Sequence, residues 1–275
     1  MRAVILTYHS GNIAGNDYAN NDLLALAHDL DVVRTLHLPV VPLRQVVDTL
    51  LQRTGGPVQE KVVAITLDDG LDFDFIDLVH PFHGPQRSVY TSLRDHAEQH
   101  AAFVHATSFV IASPDARRQI ARSEMLDRQW IGEQWWPEAI ASGCFHLGNH
   151  SWDHMSPSVI PAGQREARAG SFDGVATFDE AHLQIAQAHA YIAARAPNPG
   201  DALFAYPYGV PSDYVANEYL PRHGERNGTL AAVTATPGIV HEGSNRWLLP
   251  RYTCGVDWRS PEDLARILTA DMQAK

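Results

Sequence analysis

Only two cysteines occur in 275 residues, Cys144 and Cys254, far apart and without C-x-x-C spacing. That excludes a thiolate zinc cluster or a disulfide framework built from this chain alone. Long apolar runs are missing too. The opening MRAVILTYHS has about five apolar residues before polarity returns, short of the roughly 7–15 of a secretory h-region. No stretch approaches the ~18–20 apolar residues of a membrane span. The expectation is a cytoplasmic chain without stable membrane insertion. Cations are in deficit: 21 Lys and Arg face 32 Asp and Glu, for a net charge of −11. This argues against a nucleic-acid partner, whose phosphates need cationic contacts, and against adsorption to an anionic membrane. There is no G-x-G-x-x-G after the first strand and no G-x-x-x-x-G-K-[ST], so dinucleotide and P-loop folds lose their main support. No repeat of 20–50 residues occurs.

What is present describes a globular protein. Hydrophobic residues make up 45% and charged residues 19%, ample for a core and far from a disordered composition. Short apolar runs alternate with amphipathic segments. Strands are expected at VILTY (4–8), LPVV (38–41), VVAITL (62–67), TSFVIA (107–112), CFHLGNH (144–150), LFAYPYG (203–209), AAVTAT (231–236) and WLLPRYT (247–253). Helices are expected near 21–37, 43–53, 127–142, 179–195 and 211–220, and after SPED (260–263), where Ser260 caps and Pro261 takes the first helical position. TGGP (54–57) reads as a loop. Strands this continuously apolar fit a parallel sheet. The length fits one domain, 1–275, closed into a distorted α/β barrel of seven or eight strands with outer helices. Residues 71–105 and 155–178 are longer connections than such a fold needs. The first could form a lid or a contact between copies in a homo-oligomer, with Asp72 and Asp74 binding solvent or capping a helix. The second could border substrate.

Polar residues gather where strands end. The first strand ends at Tyr8-His9-Ser10, VVAITL at Asp68-Asp69-Gly70, CFHLGN at His150 with His154 following, LFAY at Pro207-Tyr208-Gly209, and WLL near Arg251. In a parallel barrel these ends converge on one face, where such folds place their chemistry. Most of the 15 histidines, such as His28, His37, His182 and His189, lie in helix-like polar stretches and read as solvated. His150 and His154 differ. Four apart, they share one face of a helical turn. Two imidazoles and a carboxylate hold a divalent transition metal while leaving positions open for water and substrate. Asp69 supplies the oxygen, which leaves Asp68 to take a proton from the activated water. A cation beside the two carboxylates offsets their repulsion.

TLDDG (66–70), HSWDH (150–154) and FAYPYG (204–209), in this order, resemble the NodB-homology polysaccharide deacetylases, carbohydrate esterase family 4. ILTYHS and WIGEQWWPEAIASGCFHLGNHSWDH extend the resemblance over most of the chain. It implies metal-dependent hydrolysis of an N-acetyl group from an amino sugar or glycan. Asp68 matches the family's base and Asp69, His150 and His154 its metal ligands. The ion is expected to be Zn2+, with Co2+, Ni2+ or Mn2+ as alternatives. A backbone N–H of Tyr208 is the matching oxyanion donor.

The chain departs from the family pattern in two places. Ala205 stands where the third motif usually has an Arg that orients the base, and Leu249-Pro250-Arg251 replaces the late Leu-x-His that supplies the general acid. Arg251 could pair with Asp68 in compensation, a combination similar to the poly-N-acetylglucosamine deacetylase branch. His9 is the candidate acid and His241 a weaker one. Trp258, in GVDW (255–258), fits packing as well as a substrate wall. Two other readings stay open: a metal-dependent hydrolase of a formamide or cyclic amide, and a carbohydrate-binding barrel without turnover.

Overall fold

The computed structural model describes residues 1–53, 59–159 and 170–273. β1 (Arg2–Tyr8), β2 (Lys61–Leu67), β5 (Ala106–Val110), β6 (Phe145–Asn149), β7 (Leu203–Ala205), β8 (Ala231–Val233) and β10 (Tyr252–Thr253) form one sheet. Its order is β10-β1-β2-β5-β6-β7-β8, with every neighbouring pair on this path parallel. β9 (Val240–His241) lies antiparallel on the first residues of β1. Leu249 bridges in parallel to Val233, and three residues later Tyr252 pairs with Leu6. One short segment thus joins the two ends of the sheet, curling it into the expected distorted barrel.

The two faces of the strands bury different residues. Ala3, Ile5, Val62, Ala64, Phe109, Leu203, Ala205, Ala231 and Val233 pack together inside, with Val46 and Val47 of α2 (Leu43–Leu50). The alternate positions Val4, Leu6, Tyr8, Val63, Ile65 and Leu67 pack outward against α1 (Asp22–Thr35) and the C-terminal helix. Burial on both faces explains why these strands read as unbroken apolar runs. Phe109 fills the interior so closely that a Cβ at Gly148 would lie 2.5 Å from its ring.

Outside the sheet run α3 (Val89–His100), α4 (Pro114–Glu124) and α5 (Trp136–Ala141). α6 begins at Phe178–Ala181, passes through a π-helical stretch (His182–Gln187) and continues over Ala188–Arg195. α7 (Leu220–His223) and α8 (Pro261–Gln273) complete the layer. Ser260 accepts the Asp263 N–H at 3.1 Å, the cap expected of SPED. Among the described residues no helix is long and apolar enough to cross a membrane.

Several expectations change. LPVV contributes only a single bridge, Val40 to Val63, and 247–253 keeps just the Leu249 bridge and β10. The helix expected over 127–142 is confined to Trp136–Ala141, because residues 130–132 bond to the turn at Asp72 instead: the Trp130 carbonyl accepts the Asp72 N–H and the Gly132 N–H donates to Asp72 Oδ1, each at 2.7 Å. Residues 71–105 are structured: a 3₁₀ turn (Asp72–Asp74), a hairpin of β3 (Leu78–His80) and β4 (Gly84–Gln86), then α3. Asp74 is neither solvated nor a cap. It is fully buried and accepts from Ser10 Oγ at 2.5 Å and Ser108 Oγ at 2.6 Å. The TGGP loop and residues 160–169 of the 155–178 connection lie outside the described residues.

Candidate active site

The inward row of each strand runs directly into the polar residues at its end. Val62, Ala64 and Thr66 lead to Asp68 at two-residue intervals, and Ala3, Ile5 and Thr7 lead to His9. Strand periodicity alone therefore aims Asp68 and His9 into the mouth of the barrel.

Asp68 is buried and held by Arg251, itself 0% exposed. Arg251 Nη1 donates to Asp68 Oδ1 at 2.8 Å and Nη2 to Oδ2 at 2.7 Å. Its Nε donates to the Thr234 carbonyl at 2.8 Å, and Nη1 also reaches Thr66 Oγ1 at 3.2 Å. The guanidinium lies 5.6 Å from the Phe109 ring centroid, so Phe109 floors the pair. Burial pushes the Asp68 carboxyl up, but the Arg251 charge and its hydrogen bonds outweigh it and hold the group well below the usual carboxylate range. Asp68 is thus ionised with fixed orientation.

Asp69 turns away from its neighbour because its backbone is left-handed (φ 75°). Gly70 follows at φ 68°, where a Cβ would come within 2.8 Å of the Val110 backbone, so only glycine fits. Asp69 Oδ1 lies 3.6 Å from His150 Nε2 and 3.5 Å from His154 Nε2. One donor atom from each of the three lies within 4.8 Å of the others. His150 Nδ1 is 3.0 Å from the Ala205 carbonyl, an oxygen that can only accept. The Nδ1–H tautomer follows, leaving the Nε2 lone pair toward Asp69, the orientation a metal-ligating imidazole requires. Burial, with the adjacent His150, pulls His154 down to about 4 against the opposing pull of Asp69 and Asp68, so it too is neutral. The donor set fits a divalent ion of the zinc class.

The two histidines do not meet on a helical turn, as their spacing suggests. Ser151 and His154 are left-handed (φ 72° and 61°), and the tight turn is pinned by Ser151 N–H on Asn149 Oδ1 and His154 N–H on Ser151 Oγ, each 2.9 Å. Gln184, in the π-helical stretch of α6, accepts from Trp152 N–H at 3.2 Å and donates to Asp153 at 2.8 Å. No sequence motif marks that support. Strained backbone gathers around this mouth, since Tyr208 (φ 59°) is left-handed as well.

The residues line a cavity of about 530 Å³ shared by His9, Asp68, Asp69, His150, His154 and Tyr208. The Tyr208 ring lies 4.5 Å from that of His154, tilted by 53°. His9 Nδ1 is buried without a hydrogen-bond partner among the described residues. Glu124, at the end of α4, and apolar Ile111, Ile120, Met125 and Ile131 complete one wall. Glu124 carries no motif of its own, and its helix lies outside those expected from the sequence. His241 stands outside. It pairs with Arg2 at the start of β1, the end of the barrel away from His9, which removes it as a candidate acid. Trp258 is 1% exposed, donates to Asp29 at 3.0 Å and packs edge-on against Tyr8, so it belongs to the core.

The family model for polysaccharide deacetylase matches residues 55–224. A search of curated protein sequences finds no significant match. Among solved structures, the Streptococcus pyogenes deacetylase PplD, determined in complex with acetate, superposes with a TM-score of 0.66 at 17% identity over 98% of both chains. IcaB from Ammonifex degensii gives 0.63 at 18% identity, covering 99% of this chain and 97% of its own. A de-N-acetylase from Aggregatibacter actinomycetemcomitans gives 0.60 at 13%, over 92% and 94%. At these identities the likeness is one of fold.

Proposed function

Since the chain belongs to the polysaccharide deacetylase family, we propose that it removes the N-acetyl group from an amino sugar in a glycan, using a divalent metal held by Asp69, His150 and His154. The observation that carries this reading is the pairing of an Arg-locked carboxylate, Asp68, with that donor cluster at one open cavity. The bound ion would polarise the amide carbonyl and acidify a water. Asp68 accepts the water proton. With both oxygens tied to Arg251 it is a weak base, so it holds the proton briefly and releases it readily. His9, facing the same cavity, protonates the leaving amine, which cannot depart as an anion. The Tyr208 backbone N–H stabilises the oxyanion.

Arg251 reaches Asp68 from the end of the chain, a role the family usually gives to the position of Ala205. That exchange, as in the poly-N-acetylglucosamine branch, favours polymeric N-acetylglucosamine as substrate.

The test is acetate release from N-acetylglucosamine oligomers, run beside small formamides and cyclic amides. The expected result is release from the oligomers alone, with Asp68→Asn lowering kcat by about 10²–10⁴-fold while metal content is kept. Full activity in Asp68→Asn, or hydrolysis of the small amides only, would overturn the reading.

A further inference from the structure

A second cluster of the same composition lies on the helical layer, outside the barrel mouth. His96 and His100, one turn apart on α3, face Asp31 of α1. His96 Nδ1 is 3.9 Å and His100 Nε2 3.6 Å from Asp31 Oδ1, and one donor atom from each residue lies within 4.8 Å of the others. The two rings stand 4.7 Å apart at 58°, against 4.8 Å and 56° for His150 and His154. Two unrelated pieces of backbone, a helical turn here and a left-handed turn there, converge on one arrangement of two imidazoles and a carboxylate.

We propose that Asp31, His96 and His100 form a second divalent-metal site, selective for zinc-class ions, that ties α1 to α3. Imidazole donors favour such ions over Mg2+ or Ca2+, which require oxygen ligands. The present partner of Asp31 is Arg34, whose Nε donates to Oδ1 at 3.2 Å from a side chain 46% exposed, so it can swing into solvent as the ion enters. Space adjoins the cluster. A cavity of about 690 Å³, bordered by His96, Arg34, His37 and Phe103, opens beside it, giving water or a small anion access to the unfilled coordination positions. The site lies apart from the residues proposed for catalysis, so it stands or falls independently of the deacetylase reading.

Metal counting decides it. The full chain, stripped with a chelator and dialysed against Zn2+, is compared with a His96→Gln/His100→Gln double variant. The variant is expected to bind one zinc fewer per chain, to show a smaller zinc-dependent rise in Tm than wild type, and to retain wild-type acetate release. Mg2+ is expected to raise Tm in neither protein. Equal zinc content in the two proteins would overturn the proposal. Should the double variant fold poorly, Asp31→Asn, at an exposed side chain, is expected to weaken that one zinc-binding event at least tenfold. An unchanged isotherm there would equally overturn it.

Discussion

Replacing Arg251 with Met tests how the barrel keeps its central carboxylate ionised. Asp68 is almost wholly buried and both of its oxygens are occupied by one guanidinium. Breaking such a pair from one side leaves an uncompensated buried charge and costs about 3–5 kcal/mol. At about 2.1 cal/mol/K of unfolding entropy per residue, a chain of this length loses about 5–9 °C of Tm for that penalty. Burial then acts unopposed by its main counterweight, so the Asp68 pKa rises, and the acid limb of the kcat/KM profile moves to higher pH. The wild-type sign is the reverse. A carboxyl held below its unfolded value stabilises the fold fully above about pH 4 and loses that contribution only as pH falls below it. The double variant Asp68→Asn/Arg251→Met removes both charges, and should recover most of the lost Tm without recovering activity. Arg251→Lys keeps a charge but not the fork and should fall between. Differential scanning calorimetry and pH-resolved acetate release supply the readouts. An Arg251→Met protein melting within about 1 °C of wild type, with an unmoved acid limb, would refute the reasoning.

Two further outcomes follow from groups around the same mouth. Burial, against hydrogen bonds from Ser10 and Ser108, raises Asp74 from its ordinary 3.8 to about 7. Its contribution is therefore complete below about pH 4 and lost as pH rises through 7, a change on the order of 4 kcal/mol. In chelator, Asp74→Asn should flatten the Tm–pH curve between pH 5 and 8, and an unchanged slope would count against the burial argument. His9→Gln should lower kcat more than KM rises and abolish the basic limb of the kcat profile. A basic limb identical to wild type would remove His9 as proton donor.

Much of this site was legible because strand periodicity and motif order speak together. VVAITL runs into Asp68, and ILTY into His9, with no tertiary knowledge needed to aim them inward. Arg251 was legible only as a compensation for Ala205, and the bidentate geometry gives that idea its physical content. Helix periodicity misled at His150 and His154, where left-handed residues do the work that a helical turn was expected to do. Outside glycine such conformations carry only a weak signature, an enrichment of Asn, Asp and His that His154 shares and Ser151 does not. α4 and its Glu124 lie outside the helices expected above, although Ser113-Pro114-Asp115 opens α4 as Ser260-Pro261 opens α8. The helix bearing His96 and His100 lay inside a stretch read as connection, so the approach of Asp31 from α1 could not be foreseen.

The central claim concerns Asp69, His150 and His154. Crystals of the zinc-loaded chain measured on both sides of the zinc absorption edge give the direct answer. An anomalous peak within about 2.0–2.2 Å of the two imidazole nitrogens and the Asp69 oxygen, absent from an Asp69→Ala/His150→Ala variant, is the predicted result. Full acetate release from a protein with no ion between those three side chains would contradict it.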